Sequence, residues 1–142
     1  AYLERHGVPQ TPADLAHHTC LQMVAPVFPS DKWTFDGPNG EETITLGPTP
    51  FQVNVAEAMA VAVSNGMGIG LIPIYSAISG LRSGAFVWLL PQYTSQEMNL
   101  YALYPSRQYL DAKIRTWVEF LRDELPATLA ADQAELRQFA RG

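Results

Sequence analysis

Asn54-Val55-Ala56-Glu57-Ala58-Met59-Ala60-Val61-Ala62-Val63-Ser64-Asn65-Gly66-Met67-Gly68-Ile69-Gly70-Leu71-Ile72-Pro73 reads as a helix followed at once by a buried strand. Asn54 with Glu57 three positions on is the pattern of a capping box, in which side chains satisfy backbone NH groups that a first helical turn leaves free. Val55, Ala58, Met59, Ala62 and Val63 recur at helical spacing and give the helix one apolar face. Asn65-Gly66 stops it, because both residues tolerate the left-handed conformation. Ile69-Gly70-Leu71-Ile72 is a short apolar run without alternation, ended by Pro73, as expected of a strand covered on both faces. Such strands belong to parallel sheets, and the fold class is α/β.

The glycines at 66, 68 and 70 invite comparison with a dinucleotide loop, but that loop follows a strand and opens a helix. Here the order is helix, glycines, strand. The structural reading is preferred: these glycines allow a tight turn and a close helix-to-sheet approach.

Downstream the design is repeated. Ser76 is expected to cap a short helix ending near Gly84, and Phe86-Val87-Trp88-Leu89-Leu90 supplies a second buried strand before Pro91. The polar stretch from Pro91 to Met98 suits a crossing between lobes. Asn99 to Tyr104 is expected to be one more strand. Ile114, Trp117, Val118, Leu121 and Leu125 then lie at helical spacing up to Pro126, where the helix is expected to stop. Upstream, Thr11, Pro12 and Asp14 open a short helix through His17. Trp33-Thr34-Phe35 and Thr43-Ile44-Thr45-Leu46 alternate on either side of Asp36-Gly37-Pro38-Asn39-Gly40, a β-hairpin pattern.

A chain of 142 residues with 47% hydrophobic content can build a core without metal or disulfide help. Its one cysteine, Cys20, is expected to be a buried thiol. A net charge of −5 with scattered basic residues offers no stripe for phosphates, so this chain alone is not expected to bind DNA. No run approaches the roughly 20 apolar residues that span a bilayer, and no export signal opens the chain. A soluble, cytoplasmic protein is expected. A first residue of Ala1 fits a piece of a longer product.

Catalysis finds no support. His6, His17 and His18 do not match zinc spacings with Cys20, so no metal and no cofactor are expected. Glu41 and Glu42 are neighbours on a hairpin and point to opposite faces. Ser64 and Ser106 lack the surroundings of a nucleophile. The segment Gly47-Pro48-Thr49-Pro50-Phe51-Gln52-Val53-Asn54 reads instead as a ligand loop: it arrives at a helix N-terminus, whose free NH groups and partial positive charge suit a small anion. Asn54 as a simple cap and Phe51 as simple core remain the alternatives.

Four stretches, in this order and spacing, resemble the effector-binding (substrate-binding) domain of LysR-type transcriptional regulators: Ala1 to Pro9 with Thr11-Pro12-Ala13-Asp14-Leu15; Trp33-Thr34-Phe35; Asn54 through Pro73; and Leu103-Tyr104-Pro105-Ser106-Arg107. The resemblance runs to Pro126. It implies a periplasmic-binding-protein-like (type 2) domain of two α/β lobes holding a small effector between them. By that comparison the chain is the C-terminal portion. The second lobe, residues 7–93, is complete; the first is largely missing, represented by a returning piece at 99–126, with 127–142 a tail or weak helix.

The resemblance also implies effector contacts at Thr49, Phe51, Val53 and Asn54, with Ile72 and Pro73 as further lining. The implied effector is a small anionic or aromatic metabolite. DNA would be bound only by an absent N-terminal winged helix-turn-helix, and self-association is expected from apolar surface that the missing lobe would cover. The alternative is a periplasmic solute-binding protein, recognisable by an export signal upstream; an enzyme of related lobes would need an acid/base set.

Overall fold

The computed structural model describes residues 1–25, 29–95, 101, 103 and 111–140. Among these, helix α1 (Tyr2–His6) and a 3-10 helix (Pro12–His17) lead into strand β1 (Cys20–Met23). The 3-10 helix starts where Thr11 and Asp14 place it. The Asp14 carboxylate accepts the backbone NH of Gln10 and of Thr11 at 2.9 Å each, and these bonds hold its pKa below the ordinary value.

Strand β1 is the centre of the molecule, and the sequence reading had no strand there. It pairs in parallel with β4 (Gln52–Val53) on one side and β5 (Ile69–Gly70) on the other, giving the order β4-β1-β5. Successive side chains of a strand point to opposite faces. Cys20 enters one core with Leu15, Trp33, Phe35, Leu46 and Leu90, while Leu21 enters a second with Met59 and Ala62. Burial pushes the Cys20 thiol up to about 11. Gln22 is the polar exception in this strand and is 3% exposed. Its amide is satisfied: it accepts Gln52 Nε2 at 2.7 Å and donates to the Gly47 carbonyl at 3.3 Å.

The hairpin is as expected: β2 (Lys32–Gly37) and β3 (Gly40–Thr45) pair antiparallel in a ladder that ends at Gly37 opposite Gly40, with Pro38-Asn39 as the turn. Trp33 and Phe35 point inward, edge to face with ring centroids 6.4 Å apart. A third strand, β6 (Thr94–Ser95), joins this sheet along β2.

The helix α2 covers Ala56–Ser64, not Asn54 onward. The β1 register, Met23 opposite Val53, keeps the chain extended through β4, so Val55 rather than Asn54 is the N-cap and no side chain caps this end. The expected capping box is therefore absent, and Val55 is 47% exposed rather than on the buried face. Gly66 ends the helix at φ 68°. Of the apolar run after it, only Ile69 and Gly70 are in the ladder.

Helix α3 (Ile74–Arg82) has Pro73 as its N-cap, three residues before the expected cap Ser76, whose Oγ is buried inside the first turn without a partner among the described residues. Phe86 to Leu90 is not a strand. Phe86 NH returns to the Gly80 carbonyl at 3.0 Å, its ring lies against Gly80, and Leu90 takes φ 53° to enter the core. A left-handed residue cannot continue an extended ladder. The second strand-helix-strand unit does not form. The strand expected at 99–104 falls outside the described residues except for Tyr101 and Leu103, which are exposed.

Helix α4 runs from Ala112 to Phe139 and passes through Pro126, correcting the expected stop. Proline removes one internal hydrogen bond and crowds the carbonyl four residues back. Good helix formers on both sides, and an exposed surface where water serves the freed carbonyl, let the helix continue. Val118, Leu121, Leu125, Glu135, Leu136 and Phe139 form its half-buried stripe. No described helix is long and apolar enough to cross a membrane.

Candidate effector-binding edge

The three parallel strands fix a direction. Since β1, β4 and β5 all run the same way, their carboxyl ends lie at one edge of the sheet. Two helices start from that edge: α2, two residues after β4, and α3, three residues after β5. Each brings free backbone NH groups and the positive end of a helix dipole to the same side of the molecule. Carboxyl edges of strands in open α/β sheets are also where ligands settle.

Of the residues expected to contact a ligand, Val53, Asn54, Ile72 and Pro73 come together at this edge. Asn54 sits in the bend between β4 and α2, exposed, with its side chain uncommitted to the helix. Pro73 is the N-cap of α3. Val53 and Ile72 are half-buried against the Leu21-Met59-Ala62 core and form the floor of the edge. Thr49 and Phe51 lie on the amino side of β4. The Thr49 hydroxyl donates to the Phe51 carbonyl at 3.0 Å and accepts its NH at 3.3 Å, which fixes the entry into the strand. Phe51 packs on the same core as Val53, and its outer side opens onto a shallow apolar depression with Ala58, Val61 and Met67.

Three residues at the edge were not anticipated as contacts. Val24 follows β1, with its NH on the Val53 carbonyl at 2.8 Å; Val55 precedes α2; Tyr75 is in the first turn of α3. All three are about half exposed, so the edge carries an apolar rim around its helix ends. The sequence held one signal for this, the position of Tyr75 just behind Pro73, but a helix starting at Ser76 hid it. Elsewhere, Tyr2 accepts the Thr19 NH at 2.7 Å and stands 3.3 Å from His18 Nδ1, so two of the histidines flank a structural tyrosine. Among the described residues no group of three His, Cys, Asp or Glu side chains converges to hold a metal.

A family model described as "LysR substrate binding domain" matches residues 1–126. The chain belongs to the LysR substrate-binding domain family. It is 31% identical over 132 residues to the probable HTH-type transcriptional regulator LtrA of Klebsiella pneumoniae, covering 89% of this chain and 41% of that protein. It is 29% identical over 123 residues to the HTH-type transcriptional activator AaeR of Escherichia coli, covering 87% and 39%. The full-length structure of the Vibrio cholerae virulence activator AphB superimposes with a TM-score of 0.70 at 27% identity, covering 84% of this chain and 40% of that one. The chain thus spans about two fifths of the length of the curated relatives it matches. With this LysR domain the α/β, periplasmic-binding-protein-like type 2 fold class stands, and relatives that are HTH-type regulators favour a regulator over a periplasmic solute-binding protein.

Proposed function

We propose that this LysR domain is the effector sensor of a cytoplasmic transcription regulator, with its half of the effector site at the shared carboxyl edge of β1, β4 and β5. One observation carries the reading: two helix N-termini start from that edge, with Asn54 free between them and an apolar rim of Val24, Val55 and Tyr75. Helix ends favour an anion and the rim favours a flat or apolar body. The effector is therefore a small anionic metabolite, and an aromatic carboxylate satisfies both features. Val53, Ile72 and Pro73 shape the floor. Thr49 and Phe51 act from behind β4, by fixing the strand that presents Asn54.

Residues 7–93 form the second lobe in this reading, and the return at 99–126 belongs to the first. An effector seated between the lobes shifts their arrangement only through unequal affinity for two states. The oligomer passes that shift to N-terminal winged helix-turn-helix segments, which make the DNA contacts. No catalytic step is part of the mechanism.

The test uses the full-length regulator, its melting midpoint read against benzoate and succinate, since a ligand of the native state raises that midpoint by mass action. Asn54→Ala and Tyr75→Ala should each lose at least half of the benzoate shift while melting normally alone. Full shifts in both variants would remove this edge from the effector site.

A further inference from the structure

Helix α4 does not end with the family match at residue 126 but continues to Phe139. On that extension the Glu135 carboxylate receives the Arg82 guanidinium as a fork: Nε to Oε1 at 3.0 Å, and Nη2 to both carboxylate oxygens at 2.9 Å. Arg82 is in the last turn of α3. The Glu135 side chain is 30% exposed and the Arg82 side chain 64%. Leu136 and Phe139, on the same face, are half-buried beside the pair. A planar fork on a partly covered carboxylate has the geometry in which an ion pair orients its partners, unlike a pair of mobile surface charges.

We propose that residues 127–139 are a clasp that fixes the position of α3, and with it the Pro73 and Tyr75 side of the edge. Helix α3 buries Ile78 and Leu81 and packs against α2 as well as α4. Its links along the chain are short: two residues of ladder before it and no strand after it. Arg82 and Glu135 are thus positioning residues, acting on the edge through the helix axis. The consequence for the effector rests on the reading of that edge given above; the clasp itself does not.

Amide hydrogen exchange on the full chain tests it without any effector. Glu135→Gln keeps the helix-forming character of the site and removes the charge. Exchange of the amides of α3 should rise about threefold, the size of a well-formed surface pair, while those of α2 stay unchanged. The exchanged pair R82E with E135R should return α3 to its original protection, and a chain ended after Pro126 should loosen α3 further than Glu135→Gln does. Unchanged exchange in α3, or an equal rise in α2 and α3, would overturn the clasp. The effector reading stands or falls separately, on Asn54→Ala and Tyr75→Ala.

Discussion

Replacing Gly68 by alanine is the sharpest test of how the parallel sheet is assembled. A Cβ built on Gly68 would stand 2.3 Å from the Thr19 carbonyl oxygen and 3.2 Å from its carbon, both backbone atoms that no rotamer change can move. The same carbonyl accepts the Ile69 NH at 2.9 Å, the bond that starts the pairing of β5 with β1. Relief requires β5 to retreat by about 1 Å, which takes that bond outside the usual 2.7–3.2 Å range. Overpacking costs about 1–3 kcal/mol, and a buried acceptor left unpaired costs about 1–3 kcal/mol more. A loss of about 2–6 kcal/mol is expected, a large part of the about 5–15 kcal/mol that holds a domain together. Urea unfolding of the chain with G68A measures it. Gly47→Ala is the control, since its Cβ would meet nothing within 4 Å and is expected to change stability by less than about 0.5 kcal/mol. A G68A midpoint within about 0.5 kcal/mol of the parent would refute the close approach of β5 to β1 and reopen the glycine run to a ligand role.

Two further outcomes are expected. Burial raises the Cys20 pKa from 9.0 to about 11, so between those values the unfolded chain has released a proton that the native chain retains. This contribution is whole below pH 9 and is lost as pH rises toward 11; urea midpoints at pH 8 and pH 10.5 should fall more for the parent than for Cys20→Ala, and a parent no more sensitive than the variant contradicts the buried thiol. Trp117 and Phe120 stack at a centroid distance of 5.8 Å, 58% and 52% exposed, beside Ile114. An apolar surface of this kind drives association: the chain should be oligomeric by light scattering at micromolar concentration and shift toward monomer with W117S and F120S together, whereas a clean parent monomer would refute it.

How much of this was legible depended on whether local or distant partners set each element. Thr11 and Asp14 were read correctly because the bonds of Asp14 reach only to Gln10 and Thr11. The same rule applied to Asn54 and Glu57 failed, because the pairing of β4 with β1, thirty residues away in sequence, decides where the chain may turn. Strand β1 went unread for a related reason. Gln22 breaks its apolar run, and only residues 25 and 30 positions away satisfy that amide. Phe86 to Leu90 has strand composition, but apolar residues serve equally to cover a helix, and contact with Gly80 chose that use. Of the proposed site, the loop and its arrival at a helix were legible. The rim was not, because the exposure of Val24, Val55 and Tyr75 follows from strand ends that only the assembled sheet defines.

The geometry of the edge also bounds what this chain can do alone. A helix N-terminus contributes up to about 2 kcal/mol to an anion in a favourable, partly buried place. Two such ends give about 4 kcal/mol, which corresponds to a dissociation constant near 1 mM. Driving a two-state domain from about 1:99 to 99:1 takes about 5.5 kcal/mol of differential affinity, more than the two helix ends supply even if all of that were selective for one state. In the proposed reading a second surface faces this edge, and a ligand touching both surfaces would make lobe arrangement depend on occupancy. The free Asn54 and the exposed rim then have a common explanation. They are polar and apolar groups without partners among the described residues, and in the proposed reading effector and opposing lobe satisfy them by closing over them. It follows that the chain should bind benzoate no more tightly than the millimolar range by titration, and the full-length regulator at least tenfold more tightly. Equal affinities would mean that the site is complete on this chain and that closure between lobes is not how it signals.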